Sequence, residues 1–190
     1  HHTHLTIMSE EKFQSPKIEN VVASGSIADS IDLVELSETV ENCELNKKRF
    51  PGAVLRLQNP KITVLVFSSG KVVITGVKSH DEFVRGLDNL ILKMKEAGVI
   101  CHDTPDVAVT NMVCSYNLGK YINLNKVVIT LNLENIEYEP EQFPGLVYRM
   151  SDPKVVALLF SSGKIILTGG KTMDDIERGV AFLEQMLGNI

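Results

Sequence analysis

The sequence predicts an α+β fold built from two copies of one unit, each copy ending its antiparallel strands with a long helix. The main observation is a duplication: residues 50–78 match residues 143–171 at 16 of 29 positions, with a constant offset of 93. A shorter match at offset 91 relates residues 18–24 to residues 109–115. Equivalent sequences fold alike and can bury matching faces, so we expect a pseudo-twofold molecule. A nearly twofold ligand, such as duplex DNA, suits such a molecule.

The bulk composition is that of an ordinary globular protein. Hydrophobic residues make up 44% of the 190 residues and charged residues 23%, close to the usual values. No apolar run is long enough to cross a bilayer and no secretory signal is visible, so no membrane partner is expected. The cysteines are odd in number and form no CxxC motif, which favours reduced intracellular thiols and no metal or cofactor site; they are Cys43, Cys101 and Cys114.

The domain organisation follows the repeats. The opening His-His-Thr-His is typical of a tag remnant before a start at Met8, so residues 1–15 are interpreted as tag remnant and flexible N-terminus. Residues 16–104 then form repeat 1 and residues 105–190 form repeat 2. Each half alone would be only marginally stable, so we expect one continuous body.

Each repeat shows the same order of elements. The predicted first strands are Ile18–Ser24 and Val107–Ser115, and the predicted short helices lie near Asp32–Glu41 and Asn123–Asn132. Four strands follow in repeat 1, with counterparts 93 residues later: Cys43–Leu45, Ala53–Leu57, Thr63–Ser68 and Lys71–Val77. The two Ser-Ser-Gly-Lys segments, residues 68–71 and 161–164, predict tight turns between strands.

A long helix closes each repeat. Ser79 and Thr172 are predicted N-caps because acidic residues, which favour the first turn, follow each of them. Apolar residues recur at helical spacing after both caps, and Gly98 is predicted as a C-cap; they are Phe83, Leu87, Leu90, Ile91 and Met94, and then Ile176, Val180, Leu183 and Leu187.

Residues 63–67 of the predicted strand Thr63–Ser68 are largely apolar on both faces. Val64 and Val66 lie on one face and Leu65 on the other, beside Thr63 and Phe67. Two long helices can cover only one side of an antiparallel sheet, so the other apolar face is left for a ligand. Self-association of the free protein through that face is a second expectation.

Positive charge is concentrated on the duplicated segments. The whole chain carries a net charge of −5, which by itself argues against nucleic acid, but residues 49–78 carry +5 and residues 142–171 carry +3. The rest of the chain therefore carries −13. Residues predicted to contact phosphates are mostly repeated at equivalent positions; they are Arg49, Arg56, Lys61, Ser69, Lys71 and Lys78 in repeat 1, and Arg149, Lys154, Ser162, Lys164 and Lys171 in repeat 2.

Two pairs of phenylalanines, each separated by 17 residues, are candidate wedges: Phe50 with Phe67, and Phe143 with Phe160. Their alternative role is as core aromatics. Phe50 and Phe143 each precede Pro-Gly at the edge of a turn, where a large aromatic is rarely buried. Phe67 and Phe160 share the uncovered face. Apolar wedges that enter a base step unstack it and bend the duplex from the minor groove.

Small polar residues in matching strands are candidate base contacts. Asn20 and Asn111, with Thr75 and Thr168, could donate to the adenine N3 and thymine O2 acceptors of the minor-groove floor; the alternative is ordinary strand polar residues. Apolar neighbours on the same face would leave no room for the guanine amino group, which favours A·T over G·C; they are Val22, Leu65, Val73, Val113, Leu158 and Ile166.

Three segments resemble the TATA-box-binding protein family: YEPEQFPGLVYR at residues 138–149, FSSGKVVITG at residues 67–76 and NMV at residues 111–113. The resemblance covers about residues 16–187. It implies a saddle of ten antiparallel strands, with two long helices on the convex face and DNA gripped in the minor groove by the concave face. It also implies that the four phenylalanines kink the DNA, that the paired Asn and Thr residues contact the central bases, and that no reaction is catalysed.

The resemblance implies protein partners as well. Glu139 and Glu141 match an acidic loop that family members present to a B-type initiation factor, and RNA polymerase is recruited in turn. The alternative for this loop is a solvated acidic turn. The equivalent loop of repeat 1, residues 46–49, has the opposite charge, and this difference could orient the complex.

Some features depart from the eukaryotic pattern. Residues 80–97 are nearly balanced in charge where eukaryotic members carry a strongly basic helix, and the acidic overall charge is more typical of an archaeal member. A cytoplasmic, nucleoid-associated location is expected for an archaeal protein and the nucleus for a eukaryotic one. Gln142 replaces the basic residue found at Arg49, and Thr110 stands where the family often has Gln.

Two other functions are open from the sequence. The first is a nucleic-acid-processing enzyme module of the same fold. Two observations argue against it: no catalytic domain is visible beyond the two repeats, and Cys101-His102-Asp103 has a poor spacing for metal ligands. The Ser-Ser-Gly-Lys segments are not P-loops, because they lack the preceding glycine spacing. The second is a protein-interaction scaffold that has lost DNA binding, and degraded wedges would be its mark.

Overall fold

The structure is a computed structural model that describes residues 15–131, 134–188 and 190. The predicted tag remnant, the predicted start at Met8 and the predicted helix residue Asn132 lie outside the described residues. The chain divides into two compact units. We call residues 20–111 the first unit, and residues 15–19 with residues 112–190 the second unit.

The first unit is an antiparallel sheet with one long and one short helix. The elements, in chain order, are β1 (Lys17–Ala28), α1 (Leu33–Thr39), β2 (Cys43–Leu45), β3 (Ala53–Gln58), β4 (Lys61–Val66), β5 (Lys71–Val77), α2 (His80–Glu96) and β6 (Cys101–Asn117). Residues 17–19 of β1 and residues 112–117 of β6 belong to the second unit. The strand order is β2-β3-β4-β5-β1.

The second unit repeats this arrangement. After β6 come α3 (Leu124–Leu131), β7 (Ile136–Glu137), β8 (Leu146–Arg149), β9 (Val156–Leu159), β10 (Lys164–Gly170) and α4 (Met173–Leu187). The strand order is β6-β10-β9-β8-β7, so the two units hold ten strands within the described residues. The predicted α+β fold, with antiparallel strands and a long helix in each repeat, is confirmed.

The strands of each unit have a helix face and an open face. In the first unit Leu55, Val64 and Ile74 are fully buried, and α2 lies on this side because its Gly86 packs against Ile62 of β4. In the second unit Leu167 is fully buried and lies against Gly179 of α4. The alternate residues of the same strands are half-buried or exposed, as the pleat of a strand requires. We call that opposite side the open face.

The helix ends follow the predicted caps. The Ser79 hydroxyl accepts a hydrogen bond from the backbone N–H of Glu82 at 3.1 Å, and the Thr172 hydroxyl accepts one from Asp175 at 3.1 Å. These bonds satisfy N–H groups that have no partner inside the helix. At the other end of α2 the C-cap residue is Ala97, and the predicted glycine, Gly98, follows it with φ 85° and ends the helix in the left-handed conformation.

The first strand of each repeat is longer than predicted. β1 reaches Ala28 because Gly25 and Ser26 still pair with β5, opposite Val72 and Lys71. Main-chain pairing does not depend on side-chain polarity, which is why a polar stretch did not end the strand. Conversely, β4 ends at Val66, two residues early, because Gly70 donates to the carbonyl of Phe67 at 2.9 Å and closes the turn.

One irregularity interrupts the pairing of β1 with β5. Val21 pairs with Val77 but Ala23 pairs with Ile74, so β5 carries one extra residue at this point. The extra residue forms a β-bulge, which leaves a main-chain group without its ladder partner.

No helix of the described chain is long and apolar enough to cross a membrane.

Candidate nucleic-acid interface

The open face of the first unit has an apolar centre. Leu65 of β4 lies between Val54 of β3 and Val73 of β5 in the strand register. All three side chains are half-buried, although nothing in this unit covers them as α2 covers the other face. Val22 of β1 is half-buried on the same side. The predicted apolar contacts of repeat 1 are therefore brought together on one surface.

Asn20 and Thr75 form the polar part of this face. The side-chain amide of Asn20 donates to the Thr75 hydroxyl oxygen over 3.1 Å. The amide oxygen of Asn20 accepts a hydrogen bond from the backbone N–H of Gly76 at 2.7 Å, and Gly76 lies in the bulge of β5. Thr63 pairs with Thr75 across β4 and β5 and adds a second hydroxyl group that the sequence analysis missed.

The two phenylalanines of repeat 1 form one aromatic pair at the edge of this face. The rings of Phe50 and Phe67 meet edge to face, with centroids 5.5 Å apart and an interplanar angle of 61°, a favourable geometry for aromatic pairs. Both are half-buried. The turn holds Phe67, whose N–H donates to Lys71 O at 2.9 Å. Gly70 has φ 91°, a value that only glycine adopts easily.

The second unit has the same open face. Leu158 of β9 lies between Val147 and Ile166 in the register, and Val113 pairs with Thr168. These side chains are half-buried. Asn111 is half-buried in β6 and is the last residue of the first unit. Val156 stands opposite Thr168, where the first unit has Thr63 opposite Thr75, so the two faces differ in polarity at this position.

The second aromatic pair matches the first. The rings of Phe143 and Phe160 meet edge to face, with centroids 5.9 Å apart and an interplanar angle of 70°. Phe143 is 41% exposed, an unusual position for a core aromatic. Both pairs thus present apolar rings beside an uncovered apolar face.

Basic side chains border both open faces. Strand alternation places Arg56 with Val54, Lys61 with Leu65 and Lys71 with Val73. The same relation holds in the second unit for Arg149 and Lys164, whereas Lys154 is exposed two residues before β9 begins. Arg49, Lys78 and Lys171 are exposed just outside the strands. The hydroxyl oxygens of Ser69 and Ser162 accept from the backbone N–H groups of Lys71 and Lys164, at 3.4 and 3.3 Å. Within the described residues, none of the six predicted lysines is in an ion pair.

Two carboxylates on the same face were missed by the sequence analysis. Glu44 Oε1 lies 3.3 Å from Arg56 Nη1, and Glu137 Oε1 lies 2.8 Å from Arg149 Nη1. Both pairs are exposed and join neighbouring strands, β2 with β3 and β7 with β8. The sequence signal was present, because Glu44 and Glu137 are related by the same offset of 93 as the arginines.

The predicted partner residues lie in the turn between β7 and β8. Glu139 and Glu141 are exposed there, and Glu139 O accepts hydrogen bonds from the backbone N–H groups of Gln142 and Phe143 at 2.9 and 3.0 Å. The equivalent turn of the first unit carries Lys47, Lys48 and Arg49. The two turns share a backbone pattern but have opposite charges.

The thiols show no sign of activation. Burial raises the pKa of the Cys114 thiol to about 11 and raises the pKa of Cys43 and of Cys101, the opposite of a reactive thiolate. Among the residues that the structure describes, no three His, Cys, Asp or Glu side chains are grouped so that they could hold a metal ion.

Comparison with known proteins agrees with this arrangement. The family described as "Transcription factor TFIID (or TATA-binding protein, TBP)" matches residues 15–97 and 106–190. The chain is 49% identical over 176 residues to TATA-box-binding protein 1 of Methanosarcina acetivorans, covering 93% of this chain and 96% of that protein. It is 50% identical over 171 residues to the TATA-box-binding protein of Archaeoglobus fulgidus, covering 90% and 93%.

A solved structure supports the fold in the same way. Methanococcus jannaschii TBP superposes with a TM-score of 0.83 at 43% sequence identity, over 93% of this chain and 99% of that one. Sequence and fold therefore agree over nearly the whole length of the chain. The chain belongs to the TATA-binding protein family.

Proposed function

We propose that this protein is a transcription initiation factor that binds the minor groove of TATA-like promoter DNA, bends it with four phenylalanines and recruits a B-type initiation factor and RNA polymerase. Family membership supports the coarser statement directly: members are DNA-binding TATA-box transcription factors and not enzymes. The enzyme alternative is therefore dropped. The wedges and the protein partners are the finer part of the proposal.

The observation that carries the proposal is the open face that both units present. Each combines a half-buried apolar centre, an edge-to-face pair of phenylalanines and exposed lysines at the strand ends. An apolar surface bordered by cations suits the minor groove of A·T-rich DNA, whose floor bears no amino group and whose walls are phosphates. An apolar surface of this kind also supports self-association of the free protein, which DNA would then reverse.

Fluorescence energy transfer across a short end-labelled duplex tests binding and bending together. A TATA-like site and a G·C-substituted site are compared over a salt series. Tight, salt-sensitive binding coupled to a bend on the TATA-like site only is expected. Binding without a bend would support the phosphate contacts of the basic border but contradict the wedge role of the phenylalanines. No binding to either duplex would favour the alternative of a protein-interaction scaffold.

The partner site needs its own experiment. Glu139 and Glu141 are replaced by lysine, which reverses the charge of the turn and matches it to the turn at residues 46–49. Recruitment of a B-type factor to the protein–DNA complex is expected to fall sharply while DNA bending is unchanged. The matched control is Glu177→Lys, an exposed acid on α4, and equal loss in the control would contradict the proposal.

A further inference from the structure

We propose that Gly52 and Gly145 are positioning residues, which hold the two phenylalanine pairs in their wedge geometry by leaving room for the rings. The inference rests on the proposed function for its consequence in DNA bending. Its geometric part concerns the free protein and can be tested without DNA.

Both glycines lie directly across the sheet from a phenylalanine. Ala53 pairs with Val66 and Leu146 pairs with Leu159, so the next positions outward place Gly52 opposite Phe67 and Gly145 opposite Phe160. An aromatic ring can lie over a glycine on a neighbouring strand because no side chain occupies that space. The same cross-strand relation therefore occurs twice.

The distances show how little space is left at Gly145. A Cβ placed there would lie 2.7 Å from Cε2 of Phe143 and 3.0 Å from Cε1 of Phe160. Both are much shorter than the separation at which carbon atoms attract each other. The three atoms nearest to such a Cβ all belong to these two rings, so Gly145 is a suitable probe of the aromatic pair.

Gly52 has the same relation to the first pair. A Cβ there would lie 2.8 Å from Cε2 of Phe50 and 3.2 Å from Cε1 of Phe67. It would also lie 2.7 Å from the backbone oxygen of Val66, so a substitution at Gly52 disturbs the strand as well as the rings. Neither glycine has a φ in the left-handed region, so backbone conformation does not require glycine at either position.

Substitution should therefore turn the rings away from each other. With alanine at position 145, Phe143 is the ring free to move, because it is 41% exposed, whereas Phe160 is half-buried. The edge-to-face contact would be lost and one wedge would no longer stand beside the open face of the second unit. The other unit would keep its pair.

The experiment compares Gly145→Ala with the unchanged protein in two readouts. Aromatic NMR of the free protein reports the Phe143 and Phe160 rings, and energy transfer across the end-labelled TATA-like duplex reports affinity and bend. We expect shifted ring signals, roughly tenfold weaker binding, as for loss of one aromatic contact pair, and a smaller bend. Unmoved rings, or moved rings with unchanged bending, would overturn the inference.

A double-mutant cycle separates ring positioning from a general role of the glycine. In a background that carries both Phe143→Ala and Phe160→Ala the two rings next to the added Cβ are gone, so Gly145→Ala should have little further effect on binding; an equally large effect there would overturn the inference. If Gly145→Ala alone does not fold, adding Phe143→Leu to the same chain should restore folding. A failure to restore folding would also overturn the inference. If the unchanged protein neither binds nor bends the duplex, the proposed function fails, while the ring signals still test the glycine.

Discussion

The side-chain amide of Asn20 donates to the Thr75 hydroxyl oxygen over 3.1 Å, while its oxygen accepts from the backbone N–H of Gly76 at 2.7 Å. These two hydrogen bonds determine which groups of Asn20 and Thr75 act as donors and which act as acceptors. One amide hydrogen of Asn20 and the hydroxyl hydrogen of Thr75 remain to donate outward, because the Thr75 oxygen is already used as an acceptor. Two outward donors suit a groove floor that offers only acceptors, as A·T pairs do.

Asn20→Asp should reverse this polarity. A carboxylate still accepts from Gly76 but cannot donate, and Thr75 would turn its hydrogen inward to it. We expect binding to a TATA-like duplex to weaken by at least about tenfold, since buried acceptors on the DNA lose their donors. Asn89→Asp, the same change on α2, is the matched control in a binding titration. Equal losses in both variants would assign the effect to net charge.

We expect Phe160→Ala to reduce the DNA bend clearly and to lower the folding stability only slightly. The side chain is half-buried at the edge of the open face, and a wedge is needed to keep a base step unstacked. Energy transfer across the duplex should show a smaller bend, with binding weakened roughly tenfold to a hundredfold. Phe182→Ala, which removes an exposed ring stacked on Tyr148 at 6.2 Å on the helix side, should leave the bend unchanged. A bend unaffected by Phe160→Ala would remove that ring from the wedges.

Lys71→Ala should lower the salt dependence of binding. A lysine that neutralises one phosphate releases about one counterion, so the slope of log affinity against log salt should fall by about 1. The loss should be similar for TATA-like and G·C duplexes, because phosphates carry no sequence. Lys95→Ala in the last turn of α2 is the control and should leave the slope unchanged. A slope that did not differ between the two variants would contradict a phosphate contact at Lys71.

Glu44→Gln should strengthen binding to both duplexes. The carboxylate lies 3.3 Å from Arg56 and brings negative charge to the open face at β2, so its removal should free the arginine for the proposed phosphate contact. We expect a gain of about twofold to fivefold, as for an exposed ion pair, and a lower ratio of specific to non-specific affinity. Glu38→Gln on α1 removes the same charge elsewhere, and a titration should show no change for it. Weaker binding of Glu44→Gln would instead mean that the carboxylate orients the arginine.

Alkaline pH should destabilise the second unit through Tyr116. Burial, and then the hydrogen bond and charge of Glu184 at 2.6 Å, raise the pKa of Tyr116 to about 12. The unfolded chain loses this proton near pH 10 while the folded chain keeps it, so the stability contribution is complete below about pH 10 and is lost as the pH rises to about 12. Urea unfolding across this range should show the decline, and Tyr116→Phe should flatten it. An unchanged slope in that variant would assign the decline to other groups, such as Cys114.

The sequence could predict those parts of the site that the duplication marks twice. Phe50 and Phe67 were paired by their repeated spacing, and the alternation of Val64 with Leu65 predicted which side chains share the open face. The Glu44–Arg56 pair was missed because an exposed charge is usually just solvated, and only the strand register brings these two residues together. The contact of Gly52 with the rings was missed for a related reason, since no sequence pattern reports which ring lies over a glycine.

The bulge in β5 has a consequence for anyone who wishes to change the sequence preference of this protein. It leaves the Gly76 N–H to a side chain, and Asn20 is that side chain, so one residue both completes the sheet and belongs to the polar part of the open face. A library that varies position 20 for new base recognition would mainly recover variants with a damaged sheet. Removing the extra residue of β5 first would release position 20 from its hydrogen bond to the sheet. Its side chain could then be varied for new base preferences in a stable scaffold.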